Sequence, residues 1–235
     1  MKLTKVTITG ADTRTPITSL EELSSKYPWV EWGILLSAQR IGENRFPTLP
    51  WLCNLREAAN RTSLQLSGHL CGSWAKQVVM GQWMFGKEID NCHRIFNRFQ
   101  LNLGGLITKV GDDCFEALAH YQSVKPVQYI FQTNTLEAKV VSLAKERGVN
   151  AVALFDKSGG RGTLPTKWPV NNTDFCGYAG GLNPDNVEEQ LQSIASVVDD
   201  RPIWIDVETG VRTNDEFDLQ KVIVFLEKCS RFVSK

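Results

Sequence analysis

The sequence predicts a single-domain (β/α)8 barrel over residues 1–235, with an open doubly wound parallel sheet as the structural alternative. Eight short apolar segments follow one another along the chain, and helical patterns separate nearly all of them, as in a parallel sheet. The chain has 235 residues, 42% of them apolar, which suits one barrel-sized core without a linker. Glycine-rich loops follow three consecutive strands near the C-terminus, where barrel enzymes build their sites.

The predicted strands are short runs that end at glycines or polar residues. The first run, residues 3–9, alternates with the period of two that is typical of a strand, and it stops at Gly10. The later runs are compact and apolar, which is typical of strands buried on both faces. The full set of predicted strands is 3–9, 30–37, 64–71, 98–103, 127–132, 152–156, 175–179 and 202–207.

Helical patterns fill most of the intervals between the strands. The clearest early one, 136–147, has an apolar face and a stop at Gly148. Asn183 and Pro184 are expected to start the penultimate helix as its cap and its first residue. Residues 163–172 hold two prolines and no helical period, so the crossover there is predicted to be short or irregular. The other predicted helices are 18–26, 51–60, 74–81, 88–97, 112–121 and 216–229.

Composition and charge exclude several classes of function. The 26 basic and 26 acidic residues cancel, so the chain lacks the basic surface that nucleic-acid binding needs. The six cysteines are scattered without a Cys-x-x-Cys pair, which favours free thiols. No signal-peptide segment, membrane-spanning run or clustered metal-ligand spacing is found. We therefore expect a cytoplasmic protein that needs no cofactor or metal and binds neither nucleic acid nor membrane.

The end of the sixth predicted strand carries the strongest chemical pattern. An apolar run ends on Asp156, and a loop with three glycines follows. Because sites in parallel α/β proteins lie at the carboxyl ends of strands, Asp156 is expected to face the pocket. Glycines leave backbone N–H groups accessible to an oxyanion, and similar loops follow the next two strands. The residues predicted to bind a phosphate group are Gly159, Gly160, Gly162, Gly180, Gly181, Thr209 and Gly210.

These three blocks resemble one known family. The sequences Ala-Leu-Phe-Asp…Gly-Gly-Arg-Gly-Thr from residue 153, Ala-Gly-Gly-Leu-Asn-Pro-Asp-Asn-Val from 179 and Ile-Asp-Val-Glu-Thr-Gly-Val from 205 are similar to phosphoribosylanthranilate isomerase. That family is a TIM barrel of tryptophan biosynthesis, and the resemblance is strongest over residues 150–235. It implies an isomerase that binds a phosphorylated small molecule, and it leaves open whether the chain is a monomer or a homodimer.

The resemblance also implies a reaction and roles for individual residues. The family performs an Amadori rearrangement, in which a general acid opens the furanose ring and a general base removes the C2 proton. The acid falls on Asp156, and an arginine that lies beside the anthranilate falls on Arg45. The base in the family is a cysteine, but its position here is Thr9. A threonine hydroxyl without assistance holds its proton too tightly to act as a base near neutral pH.

The third predicted strand offers two replacements for the missing base. His69 and Cys71 lie two residues apart, hence on one face of the strand, at its carboxyl end. Either group could reach the pocket, but both could equally be ordinary buried residues of the barrel core. Gln100 and Asp206 have the same two interpretations, as polar ligands of the substrate or as polar residues of a barrel layer.

Three hypotheses about function remain open from the sequence. The first is an isomerase of the phosphoribosylanthranilate type with Asp156 as its acid. The second is a barrel that kept the phosphate loops, lost that chemistry and binds a sugar phosphate or a nucleotide. The third is a barrel that functions through its surface, where tryptophans such as Trp29, Trp51 and Trp168 leave room for a partner face, although core or rim packing is more usual for them.

Overall fold

The computed structural model describes residues 1–82 and 92–234 and forms a closed barrel of eight parallel strands. The strands are hydrogen-bonded in sequence order, and the eighth pairs with the first. The predicted (β/α)8 barrel is therefore confirmed, and the open sheet is excluded. The strands are β1 (Lys2–Thr9), β2 (Val30–Leu36), β3 (Leu66–Leu70), β4 (Arg98–Leu101), β5 (Gln128–Thr133), β6 (Ala151–Phe155), β7 (Cys176–Ala179) and β8 (Pro202–Val207).

Helices cover the outside of the barrel in most crossovers. No helix separates β6 from β7, as the two prolines in that segment predict. Within the described residues, no helix is both long enough and apolar enough to cross a bilayer. The helices are α1 (Ile17–Lys26), α2 (Leu49–Arg61), α3 (Ser73–Val79), α4 (Asp112–Val124), α5 (Lys139–Glu146), α6 (Val187–Val198) and α7 (Leu219–Cys229).

The main hydrophobic core lies between the sheet and these helices. Helix α6 shows how it is built, because Val187, Leu191, Ile194 and Val198 recur at helical spacing and are all fully buried. Tryptophans contribute to this packing rather than to a surface patch. Trp51 is 6% exposed and Trp168 only 2%, so the partner face proposed for them is wrong at these two positions.

Several helix boundaries differ from the sequence prediction. Residues 88–91 of the helix predicted over 88–97 lie outside the described residues, and only a 3-10 turn, His93–Ile95, follows. The chain already pairs with the sheet at Asn97, because its N–H donates to the carbonyl oxygen of Leu66 in β3. In helix α5, regular helix begins at Lys139, three residues later than predicted.

The start of α6 is also later than predicted. The Asn183 side chain accepts hydrogen bonds from the N–H groups of Asp185 and Asn186, which forms a turn ahead of the helix. Regular helix begins only at Val187. An asparagine followed by proline therefore marks the approach to the helix here and not its first turn.

The last helix begins at Leu219, three residues after the predicted start. Asp218 caps it by accepting hydrogen bonds from the N–H groups of Gln220 and Lys221. The residues just before it form a small antiparallel hairpin of β9 (Arg212–Thr213) and β10 (Glu216–Phe217). This hairpin lies on the loop after β8, at the mouth of the barrel.

The interior of the barrel contains a buried ionic cluster. Glu31 of β2 accepts a 2.8 Å hydrogen bond from the Arg98 guanidinium of β4 and another of 2.8 Å from the Thr7 hydroxyl. The ammonium of Lys5 lies 3.6 Å from the same carboxylate, and the Arg98 guanidinium stacks 4.1 Å from the Trp204 ring. Burial alone raises the pKa of Glu31, but Arg98 and Lys5 outweigh it and hold the pKa below its usual value.

Replacement of Arg98 by methionine is expected to lower the free energy of unfolding by about 3–5 kcal/mol, because it leaves a buried carboxylate without its main partner. Urea unfolding at pH 7 measures the change. The double variant Arg98→Met with Glu31→Gln is the control, since it removes the uncompensated charge and should recover part of the loss. Equal losses in the single and double variants would contradict this role for the pair.

Candidate active site

A cavity of about 630 Å³ opens at the carboxyl ends of the barrel strands. Every residue that the sequence predicts for the site lines it, including residues from strands far apart in the sequence. A larger groove lies outside the barrel between α3 and α4, and none of the predicted residues lines it. The predicted residues in the cavity are Thr9, Arg45, His69, Cys71, Gln100, Asp156, Gly159, Gly160, Gly162, Gly180, Gly181, Asp206, Thr209 and Gly210.

Two carboxylates lie at the same level of this cavity. Phe155 pairs with Tyr178, and Ala179 pairs with Asp206, so Asp156 and Asp206 flank Ala179 on either side. Their Cα atoms are two strand spacings apart, about 9–10 Å along the sheet. Both side chains are at least nine-tenths buried. This arrangement places two ionisable groups where they can act on different parts of one small ligand.

Four hydrogen bonds hold the Asp156 carboxyl in place. Its Oδ1 accepts from the N–H and the hydroxyl of Ser158, at 2.9 and 2.7 Å. Its Oδ2 accepts from the Gln132 amide at 2.7 Å and from the N–H of Gly160 at 2.6 Å. The loop after β6 therefore curls back on the strand end, and Gln132 of β5 fixes the carboxyl from the neighbouring strand.

The floor of the cavity joins residues from three strands. Thr9 of β1 donates a 2.8 Å hydrogen bond to Oδ1 of Asp206 in β8, and Nε2 of His69 in β3 lies 3.9 Å from Oδ2 of the same carboxyl. Strand β2 contributes no side chain between them. A Cβ atom at Gly33 would lie 2.2 Å from the Thr9 hydroxyl oxygen and 2.9 Å from the His69 ring. Glycine at this position is therefore required for the three groups to meet.

Within the described part of the chain, three buried polar atoms without a hydrogen-bond partner belong to residues at this end of the barrel. His69 Nε2, Asp206 Oδ2 and Gln100 Oε1 are buried and have no hydrogen-bond partner among the described residues. A buried polar atom without a partner costs about 1–3 kcal/mol, so such atoms need a function or a ligand. All three belong to residues that line the same cavity. A polar group of a ligand could satisfy them together.

Burial raises the pKa values of Asp206 and Cys71 and lowers that of His69. It raises the pKa of Asp206 to about 8, against a hydrogen bond from Thr9 that lowers it. It lowers the pKa of His69 to about 3, so the imidazole is neutral near pH 7. It also raises the pKa of Cys71 to about 11, which leaves the thiol protonated. Of the three groups, Asp206 alone titrates near neutral pH.

Arg45 lies at the rim of the cavity, beside the loop after β8, and is fully engaged by carboxylates. Its Nη1 lies 2.6 Å from Glu208, and its Nη2 lies 2.6 Å from Asp215 in the turn of the β9–β10 hairpin. The backbone of Arg45 has a φ of 73°, and its N–H donates to Asp12. The loop after β2 is thereby tied to the loop after β8. A carboxylate on a ligand would compete with Glu208 and Asp215 for this guanidinium.

The three glycine-rich loops interlock through their backbones. A Cβ atom at Gly181 would lie 2.3 Å from the backbone nitrogen of Leu164, and one at Gly210 would lie 1.9 Å from the carbonyl oxygen of Leu182. Each loop therefore packs against the next at a position that has no room for a side chain. The loops after β6, β7 and β8 form one surface, as the sequence prediction requires for a shared phosphate site.

Not all of the backbone N–H groups that were predicted to bind phosphate are available to a ligand. Those of Gly159 and Gly160 donate to the carbonyl and the carboxyl of Asp156. Among the described residues, no acceptor takes the N–H groups of Gly162 and Gly181. The backbone of Gly162 and Gly181 is therefore better placed to bind an oxyanion, and the phosphate role of the whole set stays a prediction.

Comparison with known sequences decides the family. The sequence profile that describes N-(5'phosphoribosyl)anthranilate (PRA) isomerase matches residues 88–228, which is more than half of the chain. The chain belongs to the phosphoribosylanthranilate isomerase family. The resemblance seen in the sequence is thus confirmed, and it extends well before the last ninety residues.

Individual relatives of the phosphoribosylanthranilate isomerase family match parts of the chain. A multifunctional tryptophan biosynthesis protein of Phycomyces blakesleeanus is 34% identical over 96 residues, which is 40% of this chain and 12% of that protein. An N-(5'-phosphoribosyl)anthranilate isomerase of Bacillus mycoides (strain KBAB4) is 27% identical over 148 residues, 54% of this chain and 69% of the relative. The chain therefore spans only a small part of the first relative.

A solved structure supports the same fold. The N-(5'-phosphoribosyl)anthranilate isomerase of Pyrococcus furiosus superposes with a TM-score of 0.54 at 14% identity, covering 97% of this chain and 98% of that one. A truncated 3-deoxy-D-arabino-heptulosonate 7-phosphate synthase of Thermotoga maritima gives 0.56 at 12% identity, covering 98% and 86%. Since proteins of different activity superpose equally well, these structures support the barrel fold alone.

Gln132 and Glu208 are among the site residues that were not found from the sequence. Gln132 is the last residue of the fifth predicted strand, and the rule that places sites at strand ends could have found it. Glu208 lies inside the block that carried the resemblance, but no local pattern shows its pairing with Arg45. Within the described residues, no group of three His, Cys, Asp or Glu side chains is arranged to hold a metal ion.

The stability of the wild-type chain is expected to fall, relative to Asp206→Asn, as the pH rises from about 4 to about 8. The folded-state pKa of Asp206 lies above its unfolded value, so the unfolded chain loses this proton first and is stabilised relative to the folded chain over that range. Melting temperatures of both proteins measured at intervals of pH test this. A constant difference between them across the range would contradict a raised pKa.

Proposed function

We propose that this protein isomerises N-(5'-phosphoribosyl)anthranilate, an aminoaldose, to the corresponding aminoketose. The single observation that carries the proposal is the arrangement of one cavity, in which Asp156 lies at the end of β6 beside three interlocked glycine loops. Membership of the family supports the same reaction. The alternative, a barrel that binds a sugar phosphate without turnover, is not favoured by that membership.

The loops after β6, β7 and β8 would hold the phosphate of the substrate. The available N–H groups of Gly162 and Gly181 and the hydroxyl of Thr209 supply donors without a formal charge. No lysine lines the cavity among the described residues, so this binding would depend on aligned backbone dipoles. A phosphate fixed there holds the ribose close to both carboxylates.

Asp156 would act as the general acid that opens the ring. Its proton goes to the ring oxygen, and the bond between that oxygen and C1 breaks while the amine nitrogen forms a double bond to C1. The ring oxygen leaves as the C4 hydroxyl, and Asp156 remains as a carboxylate. Ser158 and Gln132 keep the carboxyl oriented through this step by the hydrogen bonds they donate.

Arg45 would bind the carboxylate of the anthranilate. Its guanidinium already binds two carboxylates, Glu208 and Asp215, so the rim has the geometry that such a group requires. Binding of the substrate would then exchange one carboxylate partner for another. The cytoplasmic location and the choice between monomer and homodimer stay predictions.

Replacement of Asp156 by asparagine is expected to lower turnover of N-(5'-phosphoribosyl)anthranilate by about 10²–10⁴-fold, because the amide has no acidic proton to give. Loss of substrate fluorescence measures the rate. Isothermal titration with the reduced product analogue, carboxyphenylamino-deoxyribulose phosphate, is the control and should show binding that is largely retained. Wild-type turnover in the variant would remove Asp156 from the mechanism, and a wild-type chain that binds without turnover would favour the alternative.

Replacement of Gly181 by alanine is expected to weaken binding of inorganic phosphate and of the reduced analogue at least tenfold. The added Cβ would lie 2.3 Å from the backbone of Leu164, so the loops after β6 and β7 must separate. Gly105→Ala is the matched control, since a Cβ there meets nothing within 4 Å. Isothermal titration measures both variants, and equal affinities would argue against a phosphate site on these loops.

A further inference from the structure

The base that removes the C2 proton is not identified by the family resemblance, because Thr9 occupies the position of the cysteine. We propose that Asp206 is this base and that Thr9 is a positioning residue that orients it. This inference rests on the proposed function, since it assigns a second step of the same reaction. It follows from the geometry of the cavity floor.

Asp206 has one oxygen that is held and one that is available. Oδ1 accepts the 2.8 Å hydrogen bond of the Thr9 hydroxyl, which fixes the plane of the carboxyl. Oδ2 has no hydrogen-bond partner among the described residues, although the residue is only 7% exposed and lines the cavity. A buried carboxylate oxygen without a partner, in a residue that lines a cavity, is suited to accept a proton from a bound molecule.

The position of Asp206 also suits a second catalytic step. It lies level with Asp156 and two strands away, so the two carboxyls reach the ribose from different sides of Ala179. An acid for the ring oxygen and a base for C2 must act on neighbouring parts of one sugar. A separation of about 9–10 Å between their Cα atoms leaves space for a ribose between the side chains.

The other candidates for the base are less suitable. The Cys71 thiol donates to the carbonyl of His69 at 3.7 Å and accepts from Asn102 at 3.2 Å, and burial keeps its proton in place. The Thr9 hydroxyl gives its hydrogen to Asp206. The neutral imidazole of His69 is a weak base, because burial lowers its pKa to about 3. Among these candidates, only Asp206 has an oxygen without a hydrogen-bond partner in the described part of the chain and is a strong enough base to accept a proton near pH 7.

The step that we assign to Asp206 follows ring opening. The bond between C2 and its hydrogen breaks, and the proton passes to Oδ2. The electron pair of that bond forms a double bond between C1 and C2, while the π pair of the C1–N bond returns to nitrogen. The product is an enolamine, which becomes the aminoketone when the proton of its C2 hydroxyl is lost and a proton is added to C1. Substrate and product have the same atoms and the same oxidation level overall.

The surroundings of Asp206 keep its carboxyl a stronger base than an exposed aspartate. Burial is the largest cause, and the negative charges of Glu31 and Glu208 raise the pKa further, while Thr9 and Arg98 lower it. The titratable or charged groups around it are Glu31 of β2, His69 of β3, Arg98 of β4 and Glu208 just beyond β8.

The pH profile of the wild-type enzyme provides the first test. One limb of the pH profile of kcat/KM for N-(5'-phosphoribosyl)anthranilate should have its midpoint at about pH 8, where Asp206 loses its proton. In Thr9→Val, loss of the hydrogen bond should move the midpoint to higher pH, whereas Thr9→Ser keeps the hydroxyl and should restore it. A role of Thr9 in packing alone would lower stability without moving the midpoint.

Replacement of Asp206 provides the second test. Asp206→Asn keeps an acceptor for Thr9 and should lower kcat/KM by about 10²–10⁴-fold, with binding of the reduced analogue retained. Asp200→Asn is the matched control, because Asp200 is fully exposed at the opposite end of β8 and should leave turnover unchanged. Melting temperatures identify a variant that fails to fold, in which case the midpoint shift in Thr9→Val decides.

The two proposals fail in different ways. Turnover within tenfold of wild type in Asp206→Asn, or an unchanged midpoint in Thr9→Val, overturns the assignment of the base and leaves the proposed function intact. A wild-type chain that does not turn over the substrate overturns the proposed function and the base assignment together. We expect Asp206→Asn to lose turnover. We expect Thr9→Ser to keep the wild-type midpoint of the pH profile.

Discussion

The buried pair of Glu31 and Arg98 is the interaction on which the rest of the barrel interior depends. A barrel of this size is usually filled with layers of branched apolar residues, whereas here an ion pair joins β2 to β4 across the interior. The pair is stable because Lys5, Thr7 and the Trp204 ring also contact it. Its two charges also act on Asp206 and His69 in the layer above. Structure and reactivity are thus coupled through one buried interaction.

The two carboxyls of the cavity differ in the number of hydrogen bonds that they accept. Asp156 accepts four hydrogen bonds, two of them from Ser158. Asp206 accepts one, and its second oxygen has no partner among the described residues. Thr9, at the position where the family has a cysteine, holds the carboxyl of Asp206 by a hydrogen bond. The first strand still contributes, through a hydrogen bond to the eighth.

The sequence alone predicted the barrel, its eight strands and the membership of the cavity, because strand ends in a parallel barrel must converge. Periodicity and glycine positions carry that information locally. The sequence alone could not predict that Asn183 forms a turn ahead of its helix, since asparagine is suited both to capping a helix and to forming a turn. Nor could it show that Glu208 binds Arg45, or that Thr9 meets Asp206, because closure of the barrel brings these residues together.

Gly33 contributes no atoms to the chemistry, yet the floor of the cavity exists because of it. One methyl group there would overlap the Thr9 hydroxyl and press on the His69 ring. Position 33 therefore limits which residues can occupy position 9 during evolution. A cysteine at position 9 would need the same space, since its sulfur atom is larger than the hydroxyl oxygen. Threonine and cysteine can therefore replace each other at position 9 as long as position 33 stays a glycine. In descendants of this chain, position 33 should accordingly stay a glycine whether position 9 holds a threonine or a cysteine.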